Sequence, residues 1–271
     1  MLTRIIVAVI GLPLLLAVIF FAPVWVYGIV VGLIAGLSAW ELLRAVGGVN
    51  RRMHIISSLF ALSMPILSTV YDAGAVFTVM VFLLFAAELM ELMHSVSHEK
   101  GLKLETVALC ILAGAVMPLM LTSLVKLAQR EHGVVYALLP FVAAFLSDSG
   151  AYFIGIFFGK HKLCPLLSPK KTIEGAAGGL ASAIAAMLIF GLVLKLIGYE
   201  VNFLVMAVYG FFGSAACQLG DLSFSAIKRL CGIKDYGNLI PGHGGMLDRF
   251  DSMHWTAALI ALLVAWVPAI A

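Results

Sequence analysis

Stretches of about twenty apolar residues follow one another along nearly the whole chain, and they constrain its fold more than any other feature. A helix needs about twenty such residues to cross the hydrocarbon core of a bilayer. Only 11% of the residues are charged, whereas soluble domains carry about 25%. We therefore predict an all-α, polytopic membrane protein with about nine transmembrane helices. The predicted spans are residues 4–22, 24–44, 54–71, 75–94, 105–128, 134–158, 175–198, 202–229 and 252–270.

Lysine and arginine are distributed unevenly between the two sides of this predicted membrane. Fourteen of the seventeen basic residues fall on the side of the N-terminus. Cytoplasmic loops carry such an excess, so the N-terminus is predicted to be cytoplasmic and the C-terminus outside, in the inner membrane if the chain is bacterial. We interpret residues 1–271 as one integral-membrane domain, with a helical scaffold at 1–133 and a catalytic half at 134–271. The cytoplasmic loops of that half are 159–174 and 230–251.

Small residues recur at four-residue spacing in two of the spans. In lipid, such a pattern lets helices approach closely and is more often a packing face than a site. We therefore expect helix packing at both faces. They are formed by Gly28, Gly32 and Gly36 in the second span, and by Gly175, Gly179 and Ala183 in the seventh.

Acidic residues inside the apolar stretches need a physical reason, since an aspartate at the centre of a membrane helix costs roughly 2.5–3.5 kcal/mol. Asp148 and Asp221 lie within the sixth and eighth spans, beside small or hydroxyl residues that suit a polar cavity. For Asp148 a structural hydrogen bond and a functional role are equally supported. For Asp221 a functional role is favoured, because the cytoplasmic loop beside it holds more carboxylates. Glu88 and Glu91 lie nearer a helix end, and solvated or interfacial carboxylates are favoured there over a functional role.

The cytoplasmic loop that follows Asp221 holds Asp248 and Asp251, just before the ninth span. They are three residues apart and would share one face of a helix. Mg²⁺ takes oxygen ligands and is typically bound by one or two carboxylates plus substrate phosphates. The three aspartates therefore predict a Mg²⁺ site at the membrane boundary.

The segment SPKKTIEG, Ser168 to Gly175, has the features of a phosphate site. Lys170 and Lys171 supply positive charge, Thr172 is predicted to cap the following helix, and Glu174 lies in its first turn. A helix N-terminus with flanking lysines binds anions readily. Lysines at a cytoplasmic helix end are also common without any site, so this motif is weak alone.

The segment PGHGG, residues 241–245, offers backbone N–H groups that its glycines would let close on a phosphate. A glycine turn is usually only a turn. Taken with Asp221, Asp248 and the Lys228-Arg229 pair, however, both segments favour a phosphate-binding site over chance.

The segment from Ser225 to Asp251 reads S-x-I-K-R-x4-K-D-x-G-x2-I-P-x-H-G-G-M-x-D-R-F-D. It resembles the signature of the phosphatidate cytidylyltransferases (CDP-diacylglycerol synthases). A second block of that family is matched by Asp148, Ala151-Tyr152, Gly155, Gly159-Lys160 and then Ser168 to Gly175. The resemblance covers residues 140–255.

The resemblance implies transfer of CMP from CTP to phosphatidate with Mg²⁺, with or without a second cation, and release of pyrophosphate. It also implies a homodimer in the lipid bilayer, with no nucleic acid as partner. The attacking phosphate is already ionised near neutral pH, so His243 is expected to orient phosphate rather than to remove a proton. The implied catalytic residues are Asp221, Asp248, Lys170, Lys171, His243 and Arg249. The implied substrate-binding residues are Ser168, Thr172, Lys228, Arg229, Lys234, Gly244, Gly245, Glu174 and Asp148. The implied metal ligands are Asp221, Asp248 and Asp251.

Two other functions remain open at this point. An ion-coupled transporter also buries aspartates, although no repeated half is evident in this sequence. A CTP-dependent lipid-alcohol kinase would share much of the nucleotide and metal chemistry. The match over the full length of 225–251 favours the cytidylyltransferase.

Overall fold

A computed structural model describes residues 2–97, 102–239 and 244–270, apart from the side chains of residues 2–10 and 12. His243 of the predicted site and most of the PGHGG segment lie outside the described residues. The first part of the chain forms α1 (Leu2–Phe21), α2 (Val24–Val46), α3 (Arg51–Leu67), α4 (Ala73–Ser97), α5 (Leu104–Ile111), a π-helical turn (Leu112–Val116) and α6 (Met117–Ala128). The second part forms α7 (Gly133–Phe158), β1 (Lys162–Cys164), β2 (Ser168–Thr172), α8 (Ile173–Leu196), α9 (Phe203–Leu230) and α10 (Leu247–Trp266).

Six helices within the described residues are long and apolar enough to cross a membrane, when Leu104–Ala128 is taken as one span. The predicted class, an all-α integral membrane protein, is thereby confirmed. The number of nine spans and the sides of the two termini stay predictions. Among the described residues, fewer helices than predicted meet both the length and the apolarity of a span, and α3 is an example. It has 17 residues, whereas a straight crossing needs about twenty.

The predicted loop 159–174 contains an antiparallel hairpin, in which Lys162 pairs with Thr172 and Cys164 with Ser168. The helical prediction for the chain did not include it. The strands have three and five residues, too few to show the alternation of apolar and polar residues that identifies a strand in sequence.

Contacts within the chain divide it into two compact units. The first unit is Met1–Val134 with Cys231–Phe250, and the second is Val135–Leu230 with Asp251–Ala271. The division after Val134 lies one residue from the predicted boundary between scaffold and catalytic half. Residues 231–250, assigned from sequence to the catalytic half, group with the N-terminal helices instead.

In the first unit, α2 and α3 pack through the predicted glycine face. A Cβ atom on Gly32 would lie 2.4 Å from the carbonyl oxygen of Leu62, and one on Gly36 would lie 2.9 Å from the Leu62 Cβ. Neither position has room for a side chain, because backbone lies against backbone. The prediction of a packing face here is confirmed.

In the second unit, α7 and α8 pack in the same way. A Cβ atom on Gly179 would lie 2.7 Å from the carbonyl oxygen of Ser147. Polar side chains then join α7 and α8 to α9. The hydroxyls of Ser147 and Ser214 lie 2.7 Å apart, and the Gln218 amide donates to the carbonyl oxygen of Ala176 over 3.0 Å. This polar seam brings α9 and its Asp221 alongside the start of α8.

Candidate active site

The start of α8 is held by hydrogen bonds from its own segment. Thr172 has extended backbone and accepts from the Gly175 amide over 3.1 Å, so the predicted N-cap is confirmed. Glu174 accepts from the amides of Lys160 and His161 over 3.1 Å each, and from the His161 ring over 2.5 Å. Glu174 therefore holds the backbone at residues 160 and 161, just before the hairpin. This structural role is additional to the predicted contact with substrate.

Glycines at the end of α7 let this hairpin lie close to the helix. A Cβ atom on Gly159 would lie 2.8 Å from Thr172, and one on Gly155 would lie 3.2 Å from the Thr172 hydroxyl. A Cβ atom on Gly175 would in turn lie 2.8 Å from the carbonyl oxygen of Ala151. The G-x3-G spacing at 155–159 thus has a packing cause, because it admits the capped start of α8.

Lys171 and Asp221 form an ion pair, and their side chains are 28% and 31% exposed. The Ser225 hydroxyl also donates to Asp221 over 3.2 Å. Two predicted site residues from α9 and the SPKK segment are therefore brought together. The lysine ammonium lies where a cation is favoured, at the edge of a half-buried carboxylate.

Two further carboxylates of the second unit lie in the same electrostatic neighbourhood. Asp251 is repelled by Asp221 and by Asp148 and attracted by Lys228. Asp148 accepts a hydrogen bond from the Cys217 thiol over 3.3 Å. It also interacts electrostatically with Asp221, which repels it, and with Lys171, which attracts it. Asp148 thus has the structural hydrogen bond that the sequence allowed and a place beside the charged residues. A nearby cation would relieve the repulsion between these carboxylates.

Asp248 belongs to the first unit, where its carboxylate holds the loop that leads to α10. Its Oδ2 accepts from the Tyr236 amide over 2.7 Å and from the Gly245 amide over 3.0 Å, and the residue is 8% exposed. Gly244 has φ +84°, in the left-handed region that favours glycine. The predicted metal ligand is therefore also an anchor of the loop backbone.

The remaining predicted site residues differ in exposure. Lys170, Lys234 and Arg249 are exposed, Ser168 is half-buried, and Gly245 is buried. The Arg229 guanidinium donates to the carbonyl oxygen of Leu167 over 3.2 Å, which ties the end of α9 to the hairpin turn.

The sequence reading missed Glu41, near the end of α2. It is 6% exposed and accepts from the amides of Met246 and Leu247 over 3.0 and 2.8 Å. Glu41 could have been singled out from the sequence, because it is an acidic residue within an apolar span. The same criterion identified Asp221.

The expectation that Glu88 is solvated is wrong. Glu88 is fully buried and accepts from the Ser57 hydroxyl over 3.0 Å. The reason is that its side chain faces Ser57 of α3, while α4 continues to Ser97, three residues beyond the predicted end of the span. Glu91 is half-buried and lies 3.5 Å from Arg52.

Within the described parts of the chain, no three His, Cys, Asp or Glu side chains are grouped closely enough to hold a metal ion. Of the predicted ligands, Asp221 and Asp251 lie in the second unit and Asp248 in the first. The ligand set therefore stays a prediction.

Helices long and apolar enough to cross a membrane, with the Lys171–Asp221 pair beside the start of α8, define an integral membrane protein with a charged site. The chain belongs to the cytidylyltransferase family, whose model matches residues 2–267. It is 32% identical to the phosphatidate cytidylyltransferase of Staphylococcus saprophyticus and 34% identical to that of Staphylococcus epidermidis, each over 93% of this chain and 97% of the relative. It is 43% identical to the phosphatidate cytidylyltransferase of Bacillus subtilis over 50% of this chain and 49% of that protein. The family resemblance read from residues 140–255 is confirmed and extends along the chain.

Proposed function

We propose that this protein transfers CMP from CTP to phosphatidate and releases pyrophosphate. An oxygen of the lipid phosphate attacks the α-phosphorus of CTP, and the bond from that phosphorus to the bridging oxygen of the β-phosphate breaks. The observation that carries the proposal is the grouping of Asp221, Lys171 and Asp251 in a chain of the cytidylyltransferase family.

Mg²⁺ is the cofactor we propose, with Asp221, Asp251 and Asp248 as its protein ligands and with or without a second cation. Carboxylate oxygens suit this hard cation. The ammonium of Lys171 against Asp221 is a stand-in that supports a cation position there. When bound, Mg²⁺ would supply charge neutralisation between the triphosphate and the lipid phosphate.

The basic side chains would do the remaining electrostatic work, because two polyanions must approach each other. Five basic residues would stabilise phosphoryl oxygens and the departing pyrophosphate: Lys170, Lys171, Lys228, Arg229 and Arg249. The lipid phosphate is already ionised near neutral pH, so no strong general base is needed. Positioning and charge neutralisation would supply most of the rate enhancement.

Further substrate contacts are proposed from the family resemblance. Ser168, Thr172 and Lys234 would bind phosphate oxygens or order the segments that do, and Gly244 and Gly245 would let backbone amides approach. His243 would orient phosphate. Glu174 and Asp148 are proposed either as remaining metal ligands or as residues that position these groups through the hydrogen bonds they accept.

The membrane arrangement is proposed from the charge pattern. Nine crossings would place the N-terminus and the active site on the cytoplasmic face of the inner membrane and the C-terminus outside. A homodimer is proposed from the family resemblance alone.

The test uses purified full-length protein in detergent micelles with phosphatidate, Mg²⁺ and CTP labelled at either the α- or the γ-phosphate. The α-label should appear in lipid and the γ-label in pyrophosphate. In a parallel assay with a lipid alcohol added, a γ-label in the phosphorylated alcohol with unlabelled CDP would identify a lipid-alcohol kinase instead. If neither label leaves CTP while the chain moves ions across proteoliposomes, the proposed function is wrong and the transporter is correct.

A further inference from the structure

Glu41 is a buried carboxylate whose hydrogen bonds all go to a distant part of the first unit. Its Oε1 accepts from the Met246 amide over 3.0 Å, and its Oε2 accepts from the Leu247 amide over 2.8 Å. These two amides lie at the start of α10, where N–H groups have no partner within the helix. The positive end of the helix dipole also favours a negative charge there. Glu41 thus caps α10 from α2, 205 and 206 residues away in sequence.

The loop backbone closes around the Glu41 carboxylate. A Cβ atom on Gly237 would lie 2.5 Å from Oε1, and one on Gly245 would lie 2.3 Å from Oε2. Both distances are below any real contact of a Cβ atom, so only glycine fits at either position without displacing the acid. The contact is therefore specific to this carboxylate and these two glycines.

Two acids share one run of backbone amides. The Gly245 amide donates to Asp248, and the next two amides, of Met246 and Leu247, donate to Glu41. The two oxygens of Glu41 each accept from an amide of this loop, so the side chain is placed to fix the backbone rather than to bind a cation. Any shift of this amide run would also move Asp248, which lies one residue further along the chain.

We propose that Glu41 is a positioning residue of the cytidylyl transfer reaction. It fixes the backbone at residues 244–246 and the start of α10, and thereby sets the position of Asp248. This inference rests on the proposed role of Asp248. It also assigns a role in the reaction to a residue of the N-terminal half of the chain, which the sequence analysis interprets only as a helical scaffold.

Glu41→Gln is the informative variant, because it keeps the size of the side chain and removes its charge. A carboxamide has one acceptor oxygen, so its NH₂ group must face one of the two loop amides, donor against donor. Glu41→Asp keeps two acceptor oxygens on a shorter chain and should partly rescue. We expect kcat of Glu41→Gln to fall about 10–100-fold, the usual range for a residue that orients a metal ligand. The Mg²⁺ concentration for half-maximal activity should rise, while KM for CTP stays near the wild-type value.

Glu88→Gln is the matched control, since Glu88 is also a buried acid of the first unit and its amide oxygen can still accept from Ser57. It should leave kcat and the Mg²⁺ dependence unchanged. Hydrogen exchange of a peptide spanning residues 244–250 provides a readout that is independent of activity. This peptide should exchange faster in Glu41→Gln than in wild type, with no change in peptides from α9.

The outcomes separate this inference from the proposed site. Unchanged exchange at 244–250 in Glu41→Gln overturns the inference, and so does faster exchange with wild-type kcat and Mg²⁺ dependence. Asp248→Asn is measured in parallel. An inactive Asp248→Asn beside a fully active Glu41→Gln overturns the inference alone, whereas a fully active Asp248→Asn overturns the proposed site and the inference with it.

Discussion

The starts of α8 and α10 use the same chemistry and differ in where their support comes from. At each, a carboxylate accepts hydrogen bonds from the backbone amides of the preceding loop. At α8 the acid is Glu174, which lies 13 and 14 residues from its partners and is 27% exposed. At α10 the acids are Asp248 and Glu41, which are 8% and 6% exposed, and Glu41 belongs to a helix near the other end of the chain. The first start is held locally and beside water, while the second depends on a buried, long-range contact.

Asp248→Ala should give the largest loss, because it removes a proposed metal ligand and also the acceptor of two loop amides. Activity should fall at least about 100-fold. Leaving buried amides without a partner costs about 1–3 kcal/mol each, so the melting temperature in detergent should fall as well. Glu105→Ala, which removes an exposed carboxylate of the same unit, should change neither quantity. Wild-type turnover in Asp248→Ala would rule out its proposed role.

Asp221→Asn should lose activity to a similar extent, at least about 100-fold, without the loss of stability. Its Lys171 pair is partly exposed, and such pairs contribute at most about 1 kcal/mol. Asparagine can still accept from Ser225. Turnover and melting temperature, measured side by side for Asp221→Asn and Asp248→Ala, therefore separate a residue that acts on substrate from one that also holds a loop. A melting temperature lowered equally in both would contradict this distinction.

Gly244→Ala should have an intermediate effect at the start of α10. Its φ of +84° costs a non-glycine residue about 1–2 kcal/mol, and the added Cβ would lie 2.9 Å from the Asp248 carboxylate. Gly232→Ala is the control, because it has φ +66° and no atom within 4 Å of the added Cβ. Both variants should lose similar stability from backbone strain, but only Gly244→Ala should lower turnover, by about tenfold or more. Equal turnover in the two would indicate that the position of Asp248 tolerates this shift.

Features that depend on neighbouring residues could be predicted from the sequence, whereas most features that depend on distant contacts could not. Thr172 as N-cap depends on residues within one helical turn and was predicted correctly. The packing faces at Gly32 and Gly179 could be predicted because their spacing is a property of a single helix. Lys171 and Asp221 were assigned to one site by chemistry, and the structure pairs them.

What could not be predicted depends on contacts between distant segments. The partners of Glu41 are more than 200 residues away, and no local pattern distinguishes an acid that caps a remote helix from one that faces lipid headgroups. Glu88 was expected to be solvated or interfacial, because the sequence does not show that its face of α4 packs against Ser57. The hairpin at 162–172 was missed because its strands are too short to produce a periodic signal.

Glu174→Ala should give the smallest effect and decides whether the contrast between the two helix starts is sound. The variant frees the amides of Lys160 and His161, but water can replace an acceptor that is already partly exposed. Thr172 still caps α8, and the glycines at 155 and 159 still admit the hairpin. We therefore expect a change of a few-fold in KM for CTP, because the hairpin carries the lysines, with kcat and melting temperature near wild type. Steady-state kinetics over a range of CTP concentrations, with Glu41→Gln measured alongside, provide the check. The opposite result would be that Glu174→Ala lowers kcat as much as Glu41→Gln does. The proposed contrast would then be wrong, because turnover would require the hairpin to be held as rigidly as the loop before α10.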